Sequence, residues 1–205
     1  MNKKNVGILI FDDAEVLDFA GPFEVFSVTS QISHHKPFHV FTVSKDGTVV
    51  SAVNGLKVQP DYSFSDCPQI DILILSGGQG TRDVLNDAEA LRWIGHAYES
   101  ADMTLSICSA SRLVGALGLL DDLPFCTHHQ VYGHMLTLAP RAVPQPAMRF
   151  VQSGDKLFTS GGISAGIDLS FHVIARLLGE EAAANTATYM EYHYRPQLTT
   201  DEKAY

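Results

Sequence analysis

Cys108 is the residue of this sequence best placed to act as a nucleophile. It follows a short apolar, partly β-branched run, residues 104–107, and precedes a segment rich in Ala, Gly and Leu. In that segment Leu113, Leu117 and Leu120 fall at i, i+4 and i+7, which is typical of the buried face of a helix. Cys108 is therefore predicted at a strand-to-helix turn, where free amides and the helix dipole lower the pKa of a thiol. The alternative is a small buried residue without chemistry.

The other two cysteines, Cys67 and Cys126, have no such setting and are interpreted as structural. Three cysteines are an odd number, and their spacing does not repeat, so they do not indicate a disulfide framework. The sequence therefore favours the reducing environment of the cytoplasm, where a thiol stays reactive.

Histidines near Cys126 raise the question of a metal site. His128, His129 and His134 follow that cysteine closely in the sequence. A zinc site needs four well-spaced ligands, and a second ligand pair is absent here. No metal is therefore predicted.

The composition predicts a globular chain that binds a small molecule. With 205 residues, 45% of them hydrophobic and 18% charged, the chain is expected to form one domain over residues 1–205. The net charge of −9 and the wide spread of 14 lysines and arginines argue against a nucleic-acid partner. The apolar run near the N-terminus is too short for a signal peptide, and no run is long enough to span a membrane.

Short apolar runs alternate with segments of helical length, which predicts a doubly wound α/β fold with a mostly parallel sheet. The predicted strands are residues 6–10, 38–43, 72–75, 104–107 and 157–159. Asn54-Gly55 lies between two alternating segments and predicts a β-hairpin at the sheet edge. Ligands of such sheets bind beyond the C-terminal ends of the strands, which is where Cys108 lies.

Helices are predicted after most of these strands. Pro22 is expected in the first turn of one helix, and Thr81 is expected to cap another. Ser164 is expected to open a third helix that ends at Gly179. A last amphipathic stretch is expected to break at Pro196.

Five segments together resemble the ThiJ/PfpI superfamily, which is related to the class I glutamine amidotransferases. In chain order they are VGILIFDDAEVLDFAGPFEVF, DILILSGGQGTRDVL, SICSASRLVGALGLL, CTHHQVYGHM and LFTSGGISAGIDLSFHVIARLLG. The similarity extends over residues 5–194, and within the superfamily the chain most resembles the isonitrile hydratase branch. The resemblance implies a flavodoxin-like fold, a homodimer and a small-molecule substrate.

The resemblance also assigns roles to residues far from Cys108. Asp18, which before a predicted helix would otherwise be an ordinary N-cap, matches an acid that the superfamily keeps beside the cysteine. A carboxyl group that shares a desolvated site with a thiolate has a raised pKa and can donate a proton. The family similarity further implies that the amides of Gly77 and Gly78, with that of Ser109, face the substrate as an oxyanion-hole-like pocket.

Two further positions complete the site implied by the resemblance. The backbone around Ile163 is expected to form another wall of the pocket, and His128 matches a histidine that lies near the cysteine in a supporting role. The glycines of residues 76–80 do not form a nucleotide loop: the Lys-Ser/Thr of a P-loop is absent, and Asp83 replaces the last glycine of the dinucleotide fingerprint.

The identity of residue 109, a serine, indicates which reaction the resemblance implies. Superfamily members with peptidase or amidase activity have a histidine directly after the cysteine, whereas hydratase members have a small hydroxyl residue, as this chain does. The resemblance therefore implies hydration of an isonitrile to a formamide without a cofactor. The Cys108 thiolate would attack the terminal carbon, and Asp18 would supply the proton and then direct water. A neutral apolar substrate fits the expected lack of an Arg or Lys clamp in the site.

Two alternatives remain open. The same cysteine and acid suit glyoxalase-like or redox-sensing chemistry. Similar domains also form the ligand-binding half of AraC-type regulators, in which a helix-turn-helix region follows. This sequence stops at Tyr205, and its last residues, 189–205, are expected to offer neither the length nor the basic face of a DNA-binding module.

Overall fold

The computed structural model describes residues 3–195, which form eleven strands and seven α-helices. In chain order the strands are β1 (Lys4–Leu9), β2 (Phe38–Ser44), β3 (Val50–Ser51), β4 (Lys57–Val58), β5 (Tyr62–Ser63), β6 (Ile72–Leu75), β7 (Met103–Ser106), β8 (Pro124–Phe125), β9 (Val143–Pro144), β10 (Phe150–Gln152) and β11 (Leu157–Ser160). The helices are α1 (Val16–Ile32), α2 (Thr81–Leu85), α3 (Ala88–Ser100), α4 (Ser111–Ala116), α5 (Tyr132–Leu138), α6 (Ala165–Leu178) and α7 (Glu180–Tyr189).

Seven of the strands form one sheet in the order β10-β11-β7-β6-β1-β2-β5, in which only β10 runs antiparallel to its neighbour. The five predicted strands are confirmed, with ends that differ by two residues at most. Their order, second-first-third-fourth-fifth, is that of a flavodoxin-like sheet. The order reverses between β1 and β6, which is the position where doubly wound sheets bind their ligands.

Alternate residues of the central strands face two separate cores. Ile72 and Ile74 of β6 pack in a core with α1, α6 and α7. Leu73 and Leu75, which point to the opposite face, pack in a core with α3, α4 and α5. All four side chains are buried, because helices cover both faces of a parallel sheet. The doubly wound α/β fold predicted from the sequence is confirmed.

The antiparallel hairpin predicted around Asn54 and Gly55 is also confirmed. Strands β3 and β4 pair with each other in a sheet of their own. Both Asn54 and Gly55 have positive φ, 63° and 86°, which these two residue types tolerate better than most others. Ser51 accepts a hydrogen bond from the Asp13 N–H, so the hairpin supports the loop before α1.

Helix α1 begins earlier than predicted. Its first residue is Val16, so Pro22 lies inside the helix and not in its first turn. Proline has no N–H to donate to the carbonyl four residues earlier, which belongs to Asp18, but a proline this close to the helix N-terminus interrupts only the first turns. Asp18 itself lies in the first turn and is not an N-cap.

The remaining helices follow the predictions in part. The stretch after Thr81 forms two helices, because Asp87 caps α3 by accepting hydrogen bonds from the N–H groups of Glu89 and Ala90. Helix α6 runs between Ser164 and Gly179 as predicted, with φ of 93° at the glycine. Helix α7 ends at Tyr189, and Pro196 with the rest of the tail lies outside the described residues.

The helix after Cys108 is shorter than its leucine spacing indicated. A 3-10 turn covers residues 108–110, and α4 ends at Ala116, so Leu117 and Leu120 follow the helix. Within residues 3–195 every helix is too short or too polar to cross a bilayer.

Candidate functional site

The site lies at the C-terminal edge of the parallel sheet, where four loops meet. The loop after β1 leads to Asp18, and the loop after β6 contains Gly77. The loop after β7 begins with Cys108, and the loop after β11 contains Ile163. Parallel strands bring all four loops to one edge, although the residues are far apart in the sequence.

Cys108 occupies a strained position at the turn between β7 and α4. Its φ is 57°, in the left-handed region that non-glycine residues adopt only at a cost. Hydrogen bonds from both sides hold this backbone: its N–H donates to the Gly161 carbonyl at 3.2 Å, and its own carbonyl accepts from Thr127 Oγ1 at 2.9 Å. The backbone that carries the thiol is therefore held on both sides, and 5% of the residue is exposed.

Asp18 is fully buried beside this thiol. Its Oδ2 accepts a hydrogen bond from the Gly77 N–H at 3.1 Å. Its Oδ1 has no partner with hydrogen-bond geometry within residues 3–195, although the Cys108 thiol and the Ile163 N–H both lie close enough to influence the carboxyl. The structure thus brings Asp18 and Cys108 together, as the family resemblance implied.

Gly77 provides the space in which the two groups meet. A Cβ at this position would lie 2.6 Å from Asp18 Oδ2 and 2.8 Å from the Cβ of Cys108. It would also lie 2.7 Å from the Ser109 nitrogen. Any side chain at residue 77 would therefore push the carboxyl and the thiol apart.

Burial dominates the protonation of both groups. It raises the pKa of the Asp18 carboxyl to about 7; nearby Glu15 raises it too, while the interaction with the thiol and the Gly77 amide lower it. Burial likewise raises the pKa of the Cys108 thiol to about 12, and negative charge on Asp18 adds to that rise. The N–H groups of Ile163 and Ser109 lower the pKa of the thiol, but by less.

The prediction that the helix terminus lowers the thiol pKa is therefore wrong. Desolvation of the thiolate outweighs the favourable amides, and α4 is only six residues long and starts after the 3-10 turn. Near neutral pH the thiol keeps its proton, and Asp18 is the group that titrates.

Two hydrogen bonds between Ser109 and Gly78 hold the loop after β6. Ser109 Oγ accepts a hydrogen bond from the Gly78 N–H at 2.8 Å and donates to the Gly78 carbonyl at 3.0 Å. The family resemblance implied that the Gly77 and Gly78 N–H groups face the substrate in an oxyanion-hole-like pocket, but in the structure they donate to Asp18 and Ser109. The amides that act on the thiol are those of Ser109 and Ile163.

Gly78 and Gly80 allow the loop after β6 to approach the loop after β1. A Cβ on Gly78 would collide with the carbonyl oxygen of Asp13, and one on Gly80 would collide with that of Asp12. A hydrogen bond from the Glu15 N–H to the Gly77 carbonyl, 2.9 Å long, joins the two loops. The glycines therefore set the start of α1, and with it Asp18, against Cys108.

Ile163 and His128 complete the rim of the site. Ile163 has φ of 53°, an outlier for a β-branched residue, and 38% of it is exposed. The His128 ring packs so closely on Gly162 that a Cβ there would collide with it. Burial, followed by the charge of His129, lowers the pKa of His128. His128 therefore supports the loop that carries Ile163.

Arg112 is a residue of the site that the sequence analysis missed. It lies four residues after Cys108 on α4, and only 4% of it is exposed. Its Nη1 donates to Thr81 Oγ1 at 2.9 Å and its Nε to His134 Nδ1 at 3.2 Å. Its charge interacts with Cys108. No ion pair or hydrogen bond joins Arg112 to Cys108 or Asp18 in residues 3–195, so the expected lack of an Arg or Lys clamp stays a prediction. The i, i+4 spacing from Cys108 was the signal that could have identified Arg112.

The other cysteines and histidines do not join the site. Cys126 is buried and its Sγ lies 3.4 Å from the carbonyl oxygens of Gln145 and Met148; burial raises its pKa to about 12. Cys67 is partly buried. Among residues 3–195 no three His, Cys, Asp or Glu side chains come together in a group that could hold a metal ion.

Comparison with known proteins places this geometry in context. A family model described as the DJ-1/PfpI family matches residues 4–176. Isonitrile hydratase from Pseudomonas putida is 32% identical over 191 residues, which cover 93% of this chain and 79% of that protein. The HTH-type transcriptional regulator GbdR of Pseudomonas aeruginosa is 26% identical over 183 residues, 89% of this chain but 49% of the regulator. A ThiJ/PfpI family protein from Pseudomonas syringae has a similar structure, with a TM-score of 0.84 and 25% identity over 97% of this chain and 79% of that one.

Proposed function

The chain belongs to the DJ-1/PfpI family, and on that premise we propose that it is an enzyme that adds water to an isonitrile, R–NC, to give an N-substituted formamide. The observation that carries the proposal is the juxtaposition of the Asp18 carboxyl and the Cys108 thiol in a site almost closed to solvent. The similarity of nearly the whole chain to an isonitrile hydratase supports it.

The first step needs a base for the thiol and an acid for the isonitrile carbon, and Asp18 can serve as both. With its pKa raised to about 7, the Asp18 carboxyl is partly ionised at neutral pH, whereas the thiol keeps its proton. The carboxylate accepts the thiol proton while sulfur attacks the terminal carbon, and it then returns that proton to the same carbon. The product is a thioimidate, R–N=CH–S–Cys108, with one new C–S bond and one new C–H bond.

The second step hydrolyses this intermediate. The Asp18 carboxylate takes a proton from water, whose oxygen adds to the thioimidate carbon, and passes the proton to nitrogen. The C–S bond then breaks as the added hydroxyl becomes a carbonyl, and its proton returns to sulfur. The step releases R–NH–CHO and regenerates the thiol, and it uses only side chains and water.

Two amides assist by stabilising charge on sulfur. The N–H groups of Ser109 and Ile163 lower the pKa of Cys108, which means that they favour the thiolate. Negative charge develops on sulfur when the thiol loses its proton and again when the C–S bond breaks. Fixed donors in a buried site stabilise such charge effectively.

The test is formamide production from cyclohexyl isocyanide and several other isonitriles. The wild type is expected to be active, whereas Cys108→Ala and Asp18→Ala are expected to be inactive. Cys126→Ala is the matched control, because it removes another buried thiol outside the site and should keep activity. Absence of formamide with the wild type on every isonitrile would refute the function, and turnover by Cys108→Ala would refute the covalent mechanism alone.

A ligand-binding role without turnover is the second candidate, favoured by the similarity to GbdR. The chain spans about half of that regulator's length. A regulator-type domain would bind its ligand without consuming it, and Cys108→Ala would keep that binding. Calorimetry with the isonitriles and with their formamides, run beside the activity assay, distinguishes the two roles.

The proposal includes a cytoplasmic homodimer. Three free cysteines fit a reducing compartment, and the homodimer is what the family resemblance implies. Light scattering coupled to size-exclusion chromatography tests the dimer, and a single species with the 22.3 kDa mass of one chain would contradict it.

A further inference from the structure

Arg112 is a buried cation without a carboxylate partner. The ion pairs of residues 3–195 involve Lys4, Lys45, Arg141 and Arg149, but not Arg112. The chain has 23 acidic residues against 14 basic ones, so acids are plentiful. Burial of an unpaired charge is unfavourable unless another group offsets it.

Neutral groups hold the guanidinium in a fixed orientation. Thr81 Oγ1 accepts from Nη1 and donates its own proton to the Gly78 carbonyl at 2.8 Å, so this acceptor cannot rotate away. His134 Nδ1 accepts from Nε on the other side. The third nitrogen, Nη2, has no hydrogen-bond partner in the described part of the chain. Because this atom is not fully buried, solvent reaches it.

The guanidinium belongs to the residue four positions after the reactive thiol but does not pair with it. No ion pair or hydrogen bond joins Arg112 to Cys108 in residues 3–195. The same Gly78 carbonyl accepts from Thr81 and from Ser109, so a short chain of hydrogen bonds links the guanidinium to the residue next to the thiol.

A positive charge from α2 acts on Arg112: it belongs to exposed Arg82, which Asp83 follows in the same helix. One open guanidinium nitrogen suits a singly charged carboxylate better than a doubly charged phosphate.

We infer that Arg112 forms an anion subsite of the thiol pocket and that the substrate is an isonitrile with a carboxylate on its carbon chain. This inference rests on the proposed hydratase function for the identity of the reacting group. For the simplest such substrate, isocyanoacetate takes up one water and becomes N-formylglycinate. The carboxylate binds Arg112 while the isonitrile carbon meets Cys108.

The experiment compares a carboxylate with its neutral methyl ester, which is larger by one methyl group. The substrates are isocyanoacetate and its methyl ester, compared by kcat/KM, and the ligands for calorimetry are N-formylglycinate and its methyl ester. The wild type is expected to prefer the carboxylate of each pair by about tenfold or more, because a charge-assisted hydrogen bond in a buried site contributes roughly that factor. Equal values for the two members of each pair would overturn the inference.

Variants identify the residue responsible. Arg112→Gln is expected to bring the ratio of kcat/KM for the carboxylate to kcat/KM for the ester to about one. Arg112→Lys is expected to keep part of the preference, because lysine keeps the charge but lacks the planar set of donors of the guanidinium. Arg92→Gln removes an exposed arginine of α3 and should keep the wild-type ratio. A loss that affects ester and carboxylate equally would mean that Arg112 acts only on the fold or the thiol, and would also overturn the inference.

The two proposals can fail separately. Wild-type protein that turns over none of the isonitriles, isocyanoacetate and its ester included, but still binds N-formylglycinate preferentially would refute the hydratase and support the subsite. Protein that hydrates ester and carboxylate equally well would support the hydratase and refute the subsite. If Arg112→Gln does not fold, the comparison of carboxylate with ester in the wild type and in Arg112→Lys still tests the inference.

Discussion

Asp18 and Cys108 meet across the backbone of Gly77, one from the first turn of α1 and the other from the end of β7. Neither residue has a charged partner of opposite sign in this contact. Burial is the main cause of the raised pKa of each, and the carboxyl is the one brought close to neutrality. The pair can therefore move a proton at neutral pH without a histidine.

Asp18 should make stability depend on pH. Its folded-state pKa of about 7 lies above the ordinary value of 3.8, so the unfolded chain ionises first as pH rises. The free energy of unfolding should therefore fall between about pH 4 and pH 7 and level off above it. Asp18→Asn should remove this loss and be more stable than the wild type at pH 8 by about 4 kcal/mol.

Urea unfolding at several pH values between 4.5 and 9 measures this effect. The difference between Asp18→Asn and the wild type should shrink toward zero at the acidic end. Glu24→Gln, an exposed position on the same helix, is the control and should show no such trend. A constant difference across the whole range would contradict a raised pKa of Asp18.

The Cys108 thiol should resist ionisation until strongly alkaline pH. In a Cys67→Ala, Cys126→Ala background, ultraviolet thiolate absorbance should show no titration near the free-cysteine value of about 8.5. Asp18→Asn should shift the titration to lower pH, because it removes the negative charge that helps raise the pKa of the thiol. A midpoint below 8 in the Asp18-containing protein would show that the amides outweigh burial.

Gly77→Ala should strongly reduce activity. The new methyl group would lie 2.6 Å from Asp18 Oδ2 and 2.8 Å from the Cys108 Cβ, so the two groups must separate. We expect a loss of about a hundredfold in kcat/KM for an isonitrile, as for other small displacements of reacting groups. Gly133→Ala is the matched control: this α5 residue has open space around its Cα, so activity should be kept and stability should rise by about 0.5–1 kcal/mol.

Ser109 should act mainly through Gly78. Ser109→Ala leaves the Gly78 N–H without its acceptor, which should cost about 1–3 kcal/mol of stability and loosen the loop beside the thiol. Ser109→Thr keeps the hydroxyl and should retain most of the stability and activity. Chemical denaturation of both variants measures this, and equal stability of Ser109→Ala and the wild type would show that the bond is dispensable.

The sequence by itself determined the sheet and the position of the cysteine. Apolar runs bounded by turn residues mark β1, β2, β6, β7 and β11 because buried parallel strands need continuous apolar segments. The same pattern places Cys108 at the end of a strand. The short strands β5 and β10 were missed, since two or three residues at a sheet edge carry too little periodicity.

Only the tertiary structure decided the chemistry of the site. The direction of the thiol's pKa depends on how completely distant loops exclude water from Cys108, and this outweighs the local dipole that the sequence indicates. The amides of Gly77 and Gly78 are occupied by Asp18 and Ser109, which come from other segments. The i, i+4 spacing from Cys108 could have identified Arg112, but the acceptors on α2 and α5 that hold its guanidinium come from distant segments.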